Sequence, residues 1–526
     1  MSIRPIRRTI FTTGVLALAA ALAATPLRAA PAHAATTAQP LNVVAIGDSY
    51  ASGEGDIGSG WIDSACQRSA GAAPEQAASK LNAIRPVGFT SFACLGSVID
   101  GGGGAQSLLG SGGQLSEVDP NGNDPVNALT ISIGGNDIGF STIVLACMVP
   151  LNDCSTDPTI TTMLAGDLHN LGGYPQGSPR GIPGYLGELV NAINARSDID
   201  NVFLTEYPDP TTGPGGFLCG SAQDPNFGGM QGISATDAEW AADAVIGPLN
   251  TALESAVSMG NSQSGTHAVW HYVTGISNSF FSYGYCNPGS RYINTLQDSE
   301  ASQGDQNGTM HPDALGQQAI ANVMYNNYVS LPLMSASVSA SSAPAAETPS
   351  NFTVQALTFA NKPIANAAIL VDGNLVGYTD SSGVLNVNGY VFSTPGSHTI
   401  DAVAAGYPEA RASLAVQTGP YNATSTPSPI PLGSIPALTL TASNSVTSQI
   451  VNGTFTLTSG SGTLTLQSGA TASNVTVTKM YKTTTIIGPN GKPIQVKVLV
   501  CPTLTFQPAS VAYASQYFSS LISCTE

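Results

Sequence analysis

Up to about residue 332, short apolar runs alternate with longer segments in which apolar residues recur at helical spacing. The runs Asn42–Ile46, Gly88–Ala93, Ala128–Ile133, Val202–Glu206 and Ala268–Tyr272 read as strands, the first of them rich in β-branched residues and expected to be buried. The segments Pro74–Ile84, Tyr185–Arg196, Ala235–Met259 and Asp313–Val329 read as helices. Such alternation predicts a parallel sheet covered by helices on both faces. The Gly-rich insertions Asp100–Gly113 and Gly172–Gly184 are expected to be loops framing a site.

The pattern then changes. A low-complexity Ser/Ala/Pro stretch, Ser335–Ser350, reads as a linker. From Asn351 to Gln417 the apolar positions fall in short alternating runs broken by turn signals such as Asp372-Gly373-Asn374 and Ser382-Gly383. That pattern predicts an immunoglobulin-like β-sandwich. A second Pro/Ser/Thr stretch, Thr418–Pro436, reads as another linker, before a Thr/Ser/Val-dominated β-rich segment from Ala437 to Glu526. At the other end, Arg4, Arg7 and Arg8 precede an apolar stretch from Ile10 to about Leu27 and the small-residue site Ala32-His33-Ala34. Residues 1–34 therefore read as a secretory leader, by the general or the twin-arginine route, and residues 35–334 as one α/β domain. No later run is long and apolar enough to be expected to span a bilayer.

Composition narrows the partners. A chain of 526 residues predicts two or three domains. Only 9% of residues are charged, yet the net charge is −17, and loss of the four leader arginines would take it to about −21. Such a field disfavours nucleic acid and anionic membranes as partners. Few carboxylate–lysine pairs also leave little stability to lose in acid, so an acidic working environment is compatible with the sequence.

The chemistry begins where the first strand ends. Gly47-Asp48-Ser49 places a hydroxyl at the carboxyl end of a strand, where open α/β sheets put their crevices. The longer string Gly47-Asp48-Ser49-Tyr50-Ala51-Ser52-Gly53-Glu54-Gly55 resembles the first block of the SGNH (GDSL) hydrolases, in their secreted actinobacterial esterase/lipase branch. Three more blocks follow in the family's order: Ser91-Phe92-Ala93-Cys94-Leu95-Gly96, Ile131-Ser132-Ile133-Gly134-Gly135-Asn136-Asp137, and Met310-His311-Pro312-Asp313. The resemblance implies a flavodoxin-like three-layer α/β/α domain hydrolysing carboxylic esters, with no cofactor and no metal. It makes Ser49 the nucleophile and His311 its base, because a hydroxyl needs a proton acceptor to attack. It assigns the oxyanion to the backbone N–H groups of Ser49 and Gly96 and the side-chain amide of Asn136.

The chain departs from the family in one place. Many members carry an aspartate three residues before the histidine, where this chain has Gly308. The backbone carbonyl of Gly308 is then expected to orient His311, with Asp305 as the alternative. Asp48, Glu54 and Asp137 are expected to hold loop backbones rather than carry protons. The stretch Asp119 to Asp124 lacks the sixth-position glycine of a calcium loop.

Eight cysteines without a Cys-x-x-Cys spacing fit an oxidising compartment better than a metal site. Sequential pairing is the simplest connectivity: Cys66–Cys94, Cys147–Cys154, Cys219–Cys286 and Cys501–Cys524, the first three also resembling the family's arrangement. Substrate is less defined, since one fold hosts many activities. The branch implies an ester with an acyl chain, from a lipid or an acylated polymer. The appended β modules keep open a polysaccharide acetylesterase that touches carbohydrate or a surface through them. An adhesion or scaffold protein with an inactive hydrolase domain is the non-enzymatic alternative.

Overall fold

A computed structural model describes residues 40–524 apart from 57, 59, 120–124, 149–152, 174–183, 224–232, 488, 490 and 491. The expected leader lies outside the described residues, as does most of the Asp119 to Asp124 stretch.

Five strands form the first sheet: β1 Leu41–Gly47, β2 Val87–Ser91, β3 Ala128–Ser132, β4 Asn201–Thr205 and β5 Val269–Val273. All pairs are parallel, in the order β2-β1-β3-β4-β5. This is the flavodoxin-like order, whose switch point lies between β1 and β3. Every residue of β3 and β4 is buried, as a sheet covered on both faces requires. One face packs against α3 Phe140–Cys147, α4 Pro158–Gly172, α5 Tyr185–Asn194 and α6 Gly247–Ser262, through Ile131, Leu164, Leu189 and Leu253 among others. The other carries α2 Ala73–Asn82 and α7 Ala314–Ser330, through Leu81, Ile320 and Met324. The segment expected as one helix from Ala235 runs as an α-turn, a π-helical stretch Ala241–Ile246 and then α6.

Two antiparallel sandwiches follow. The first comprises β6 Met334–Ala340, β7 Pro349–Thr358, β8 Ala368–Val371, β9 Asn374–Tyr378, β10 Val384–Val391, β11 Gly396–Val403 and β12 Ala410–Val416. Sheets β10-β7-β6 and β9-β8-β11-β12 enclose a core of Val354, Ile369, Phe392 and Ile400. This is the immunoglobulin-like two-sheet arrangement. It starts earlier than expected. Residues 335–340 of the presumed linker, Ser335–Ser350, belong to β6, which is paired along its length with β7. Its alternating Ser and Ala positions are strand faces, which low complexity disguised.

The second sandwich comprises β13 Tyr421–Thr426, β14 Gly433–Asn444, β15 Gly453–Ser459, β16 Gly462–Gln467, β17 Thr471–Val477, β18 Met480–Ile487, β19 Pro493–Val500, β20 Thr503–Pro508 and β21 Gln516–Tyr517. Its sheets are β13-β14-β17 and β16-β15-β20-β21, around Leu440, Phe455 and Phe506. The stretch Thr418–Pro436 is likewise no linker, since β13 and the start of β14 lie within it. Among the described residues, strands β18 and β19 pair only with each other, outside both sheets.

The first sandwich is fastened to the α/β domain at the amino-terminal edge of its sheet. Arg85, two residues before β2, is buried and donates to Ser335 Oγ (3.0 Å) and the Thr358 carbonyl (2.9 Å). Arg411 donates from Nη1 to the Ser197 carbonyl (3.0 Å), and its backbone N–H to Asp200 Oδ1 (3.3 Å). Phe359 is buried in the same cluster as Leu41, Leu81 and Tyr328 of the α/β domain.

Candidate active site

Strand β1 must pass close to β3 before it can release Ser49. A Cβ on Gly47 would sit 2.1 Å from the Ser132 carbonyl oxygen, and its φ of +137° also disfavours a side chain. Asp48 follows, accepting the Tyr50 N–H (3.0 Å) at the start of the short helix α1 Ser49–Ser52. Ser49 thus opens that helix, buried to 6% exposure at the carboxyl end of β1.

His311 arrives from the opposite side, just before α7, whose first turn is capped by Asp313 accepting the Gly316 N–H. Its Nε2 lies 2.7 Å from Ser49 Oγ. Two contacts set the approach: Tyr50 Oη donates to the Met310 carbonyl (2.7 Å), and the Tyr50 and His311 rings lie 5.0 Å apart. Met310 adopts φ +63° to make the bend.

The residue orienting the imidazole is neither of those expected. Nδ1 lies 3.1 Å from the carbonyl oxygen of Thr309, whereas the Gly308 carbonyl accepts the backbone N–H of His311 (3.0 Å). The tight turn brings the nearer carbonyl round to the ring. Asp305 is engaged elsewhere, accepting from Gln303 Nε2 (2.7 Å) and the Asn307 N–H (2.9 Å). A carbonyl can only accept, so Nδ1 carries the proton and Nε2 is left to accept from Ser49. Burial pushes the imidazole down to about 4, opposed in part by the Thr309 and Asn307 backbone contacts.

Two predictions arise here. Asp305→Ala is expected to keep most ester turnover, because the Thr309 contact survives. A fall of about 10⁴-fold in kcat, the size of an orienting-aspartate loss in a triad, would assign the role to Asp305 instead. The second concerns pH. A base must be neutral to accept a proton, and this imidazole stays neutral down to about pH 4. The acid limb of kcat/KM is therefore expected well below the ordinary histidine range, and a limb at or above about 6.5 would contradict it.

Gly96 and Asn136 stand beyond β2 and β3 and line the same cleft as Ser49 and His311, about 480 Å³ in volume. Gly96 holds φ +74°, and the Cys66–Cys94 bridge ties the chain two residues before it. Asn136 Nδ2 donates one hydrogen to the Ser97 carbonyl (3.0 Å), and the amide carries a second. Its lining includes an apolar wall of Phe140, Val144, Leu145 and Met148 from α3 and the residue after it, and the polar Gln306, Asn307 and Thr309.

Two organising residues escaped the sequence reading. Gln114 Oε1 accepts the Gly47 N–H (2.6 Å), while its Nε2 faces the Gly47 carbonyl (2.9 Å), Ser97 Oγ (2.8 Å) and the Ala105 carbonyl (2.9 Å). It stitches the β1 turn to the loop after Gly96. Tyr207, just past β4, donates to Asp48 Oδ2 and accepts the Gly135 N–H (3.0 Å). Burial, the largest influence, raises the Asp48 carboxyl to about 7 against the lowering by Tyr207 and Tyr50. Asp137 Oδ1 holds the Ile99 N–H (3.0 Å), and Glu54 meets the side-chain amide of Gln303 rather than a backbone group.

The other described histidines do not line the cleft. His267 and His271 meet Asp200 and Asn201 at the far edge of the sheet, and His398 meets Asp372 in the first sandwich. The four cysteine pairs Cys66–Cys94, Cys147–Cys154, Cys219–Cys286 and Cys501–Cys524 are bonded. Among the described residues no cluster of His, Cys, Asp and Glu could hold a metal ion, and no helix is long and apolar enough to cross a membrane.

No family model matches the chain, and no curated protein matches it. Similar solved structures include an extracellular lipase from Streptomyces rimosus, 21% identical, with a TM-score of 0.38, covering 54% of this chain and 98% of that one. A phospholipase A1 from Streptomyces albidoflavus NA297 is 20% identical, with a TM-score of 0.38, covering 55% of this chain and 99% of that one. The adhesin InvE of Yersinia pseudotuberculosis is 12% identical, with a TM-score of 0.17, covering 35% of this chain and 57% of that one.

Proposed function

We propose that this chain is a secreted serine ester hydrolase of the SGNH kind, cleaving carboxylic esters that carry an acyl chain. The observation that carries the reading is the 2.7 Å approach of His311 Nε2 to Ser49 Oγ in a cleft shared with Gly96 and Asn136. Ser49 Oγ attacks the ester carbonyl as Nε2 takes its proton. The oxyanion that forms is met by the N–H groups of Ser49 and Gly96 and the free amide hydrogen of Asn136. The imidazolium returns its proton to the leaving alcohol, and water activated by His311 then releases the acid. The Thr309 carbonyl, not a carboxylate, faces the imidazolium throughout. A Ser–His dyad so arranged trades charge stabilisation for a base that stays neutral in acid.

The apolar wall of Phe140, Val144, Leu145 and Met148 favours an acyl chain over acetate alone. The test is turnover of chromogenic esters of increasing chain length beside acetylated xylan. Rising kcat/KM beyond acetate supports the reading. Turnover confined to acetyl groups on the polymer would make the protein a polysaccharide acetylesterase, and no turnover of any ester would leave the scaffold reading. Export is part of the proposal, resting on the leader sequence and the four disulfides.

A further inference from the structure

The hairpin β18–β19 has no role in either sandwich. Each strand has eight residues, so it runs about 26 Å. An isolated two-stranded sheet gains little stability in water, and one exposing apolar side chains on both faces gains less. Cross-strand partners share a face. Ile486 with Ile494 and Lys482 with Val498 lie on one, Tyr481 with Leu499 and Thr483 with Lys497 on the other. Ile487 (72% exposed) and Tyr481 (66%) are among the most exposed large apolar residues described, and Ile486, Ile494, Val498 and Leu499 are exposed too.

Charge distinguishes this surface from the rest of the molecule. Four of the chain's six lysines, Lys479, Lys482, Lys492 and Lys497, fall within this hairpin and its approach. Between Arg411 and Glu526 there is no acidic residue, in a chain whose net charge is −17. The repulsion that the whole chain offers an anionic surface is thus inverted at one projecting element.

We infer that the β18–β19 hairpin docks the protein onto anionic lipid bilayers, Ile486, Ile487 and Ile494 entering the headgroup–acyl boundary and Lys482 and Lys497 meeting lipid phosphates. Charge complementarity selects an anionic partner. The distribution of apolar groups selects a bilayer over a second copy of the acidic body, because a flat protein contact would cover one hairpin face, whereas entry end-first covers both. Entry must be shallow, since the outer edges of β18 and β19 carry backbone groups that need water. A depth of about 5–10 Å, typical of interfacial elements, accommodates Ile486, Ile487 and Ile494 while Lys482 and Lys497 remain among headgroups. Neutralising those two lysines should cost about 30-fold in partitioning.

The test uses the full chain carrying Ser49→Ala, so that lipid is not consumed and the outcome is independent of the proposed esterase activity. Co-sedimentation with phosphatidylcholine vesicles, with and without phosphatidylglycerol, is measured at low and high salt. Binding is expected only with phosphatidylglycerol, weakened by salt. It should fall about 30-fold in Lys482→Gln/Lys497→Gln and at least tenfold in Ile486→Ser/Ile487→Ser. Both variants should melt at the parent temperature, because these side chains lie outside the core. No binding at low salt, equal binding to phosphatidylcholine alone, or variants that bind like the parent would each overturn the inference. So would a hairpin-dependent dimer in sedimentation velocity without vesicle binding, which would assign the surface to a second copy.

Discussion

Ser49→Ala is expected to lower ester turnover by about 10³-fold or more while the protein melts as before. Ser49 is 6% exposed and its hydroxyl lies 2.7 Å from His311, so the substitution takes away the attacking atom and little packing. The backbone N–H of residue 49 survives the change, and with it part of the oxyanion site. Residual activity should therefore exceed that of solution without enzyme, as it does when a nucleophile is deleted from comparable sites. Two measurements decide the point: kcat on a chromogenic ester, and mass analysis after treatment with an alkyl phosphonate, which should mark Ser49 in the parent only. Undiminished turnover in the variant would end the mechanism.

Asn136→Ala is expected to reduce kcat by about 10²–10³-fold, or some 3–4 kcal/mol in barrier, with KM little changed. The donor matters most when negative charge develops, so its loss should appear in the chemical step. The structure adds a complication, because Asn136 also donates to the Ser97 carbonyl close to Gly96. A variant that merely loosened that loop would raise KM and lower the melting temperature together. A rise in KM with kcat preserved would make Asn136 a binding or scaffolding residue.

Strands β1, β3 and β4 were legible because each is a short, largely apolar run that is almost wholly buried, a signal that needs no tertiary context; β2 and β5, at the two edges, are only partly buried. Ser49, Gly96, Asn136 and His311 were legible because four short blocks recur in order. The partner of His311 Nδ1 was not. Which of three consecutive carbonyls meets a ring depends on the φ +63° bend at Met310, which no side chain announces. Gln114 and Tyr207 were hidden for a related reason: they act across 67 and 159 residues of sequence, on Gly47 and Asp48 respectively. Helix α4 is not among the segments expected as helices, because its apolar positions Ile160, Leu164 and Leu171 are sparse among Thr and Gly. The better signal was its start, where Asp157 caps and Pro158 occupies the first turn. Strand β6 was lost to a composition rule, Ser and Ala alternation being equally at home in a linker.

The clasp formed by Arg85, Arg411 and Phe359 bears on traffic to the cleft. These residues hold the first sandwich at the amino-terminal edge of the parallel sheet, while Ser49, Gly96 and Asn136 emerge from its carboxyl edge. The first sandwich therefore cannot serve as a lid over that cleft. A bulky ester can reach the mouth without that sandwich being displaced. Removing the appendage, by contrast, would bare Phe359's socket and leave buried Asp200 without its Arg411 contact at the end remote from catalysis. Its amputation would show first as a shorter working life of the protein, with the chemistry of each surviving molecule unaltered.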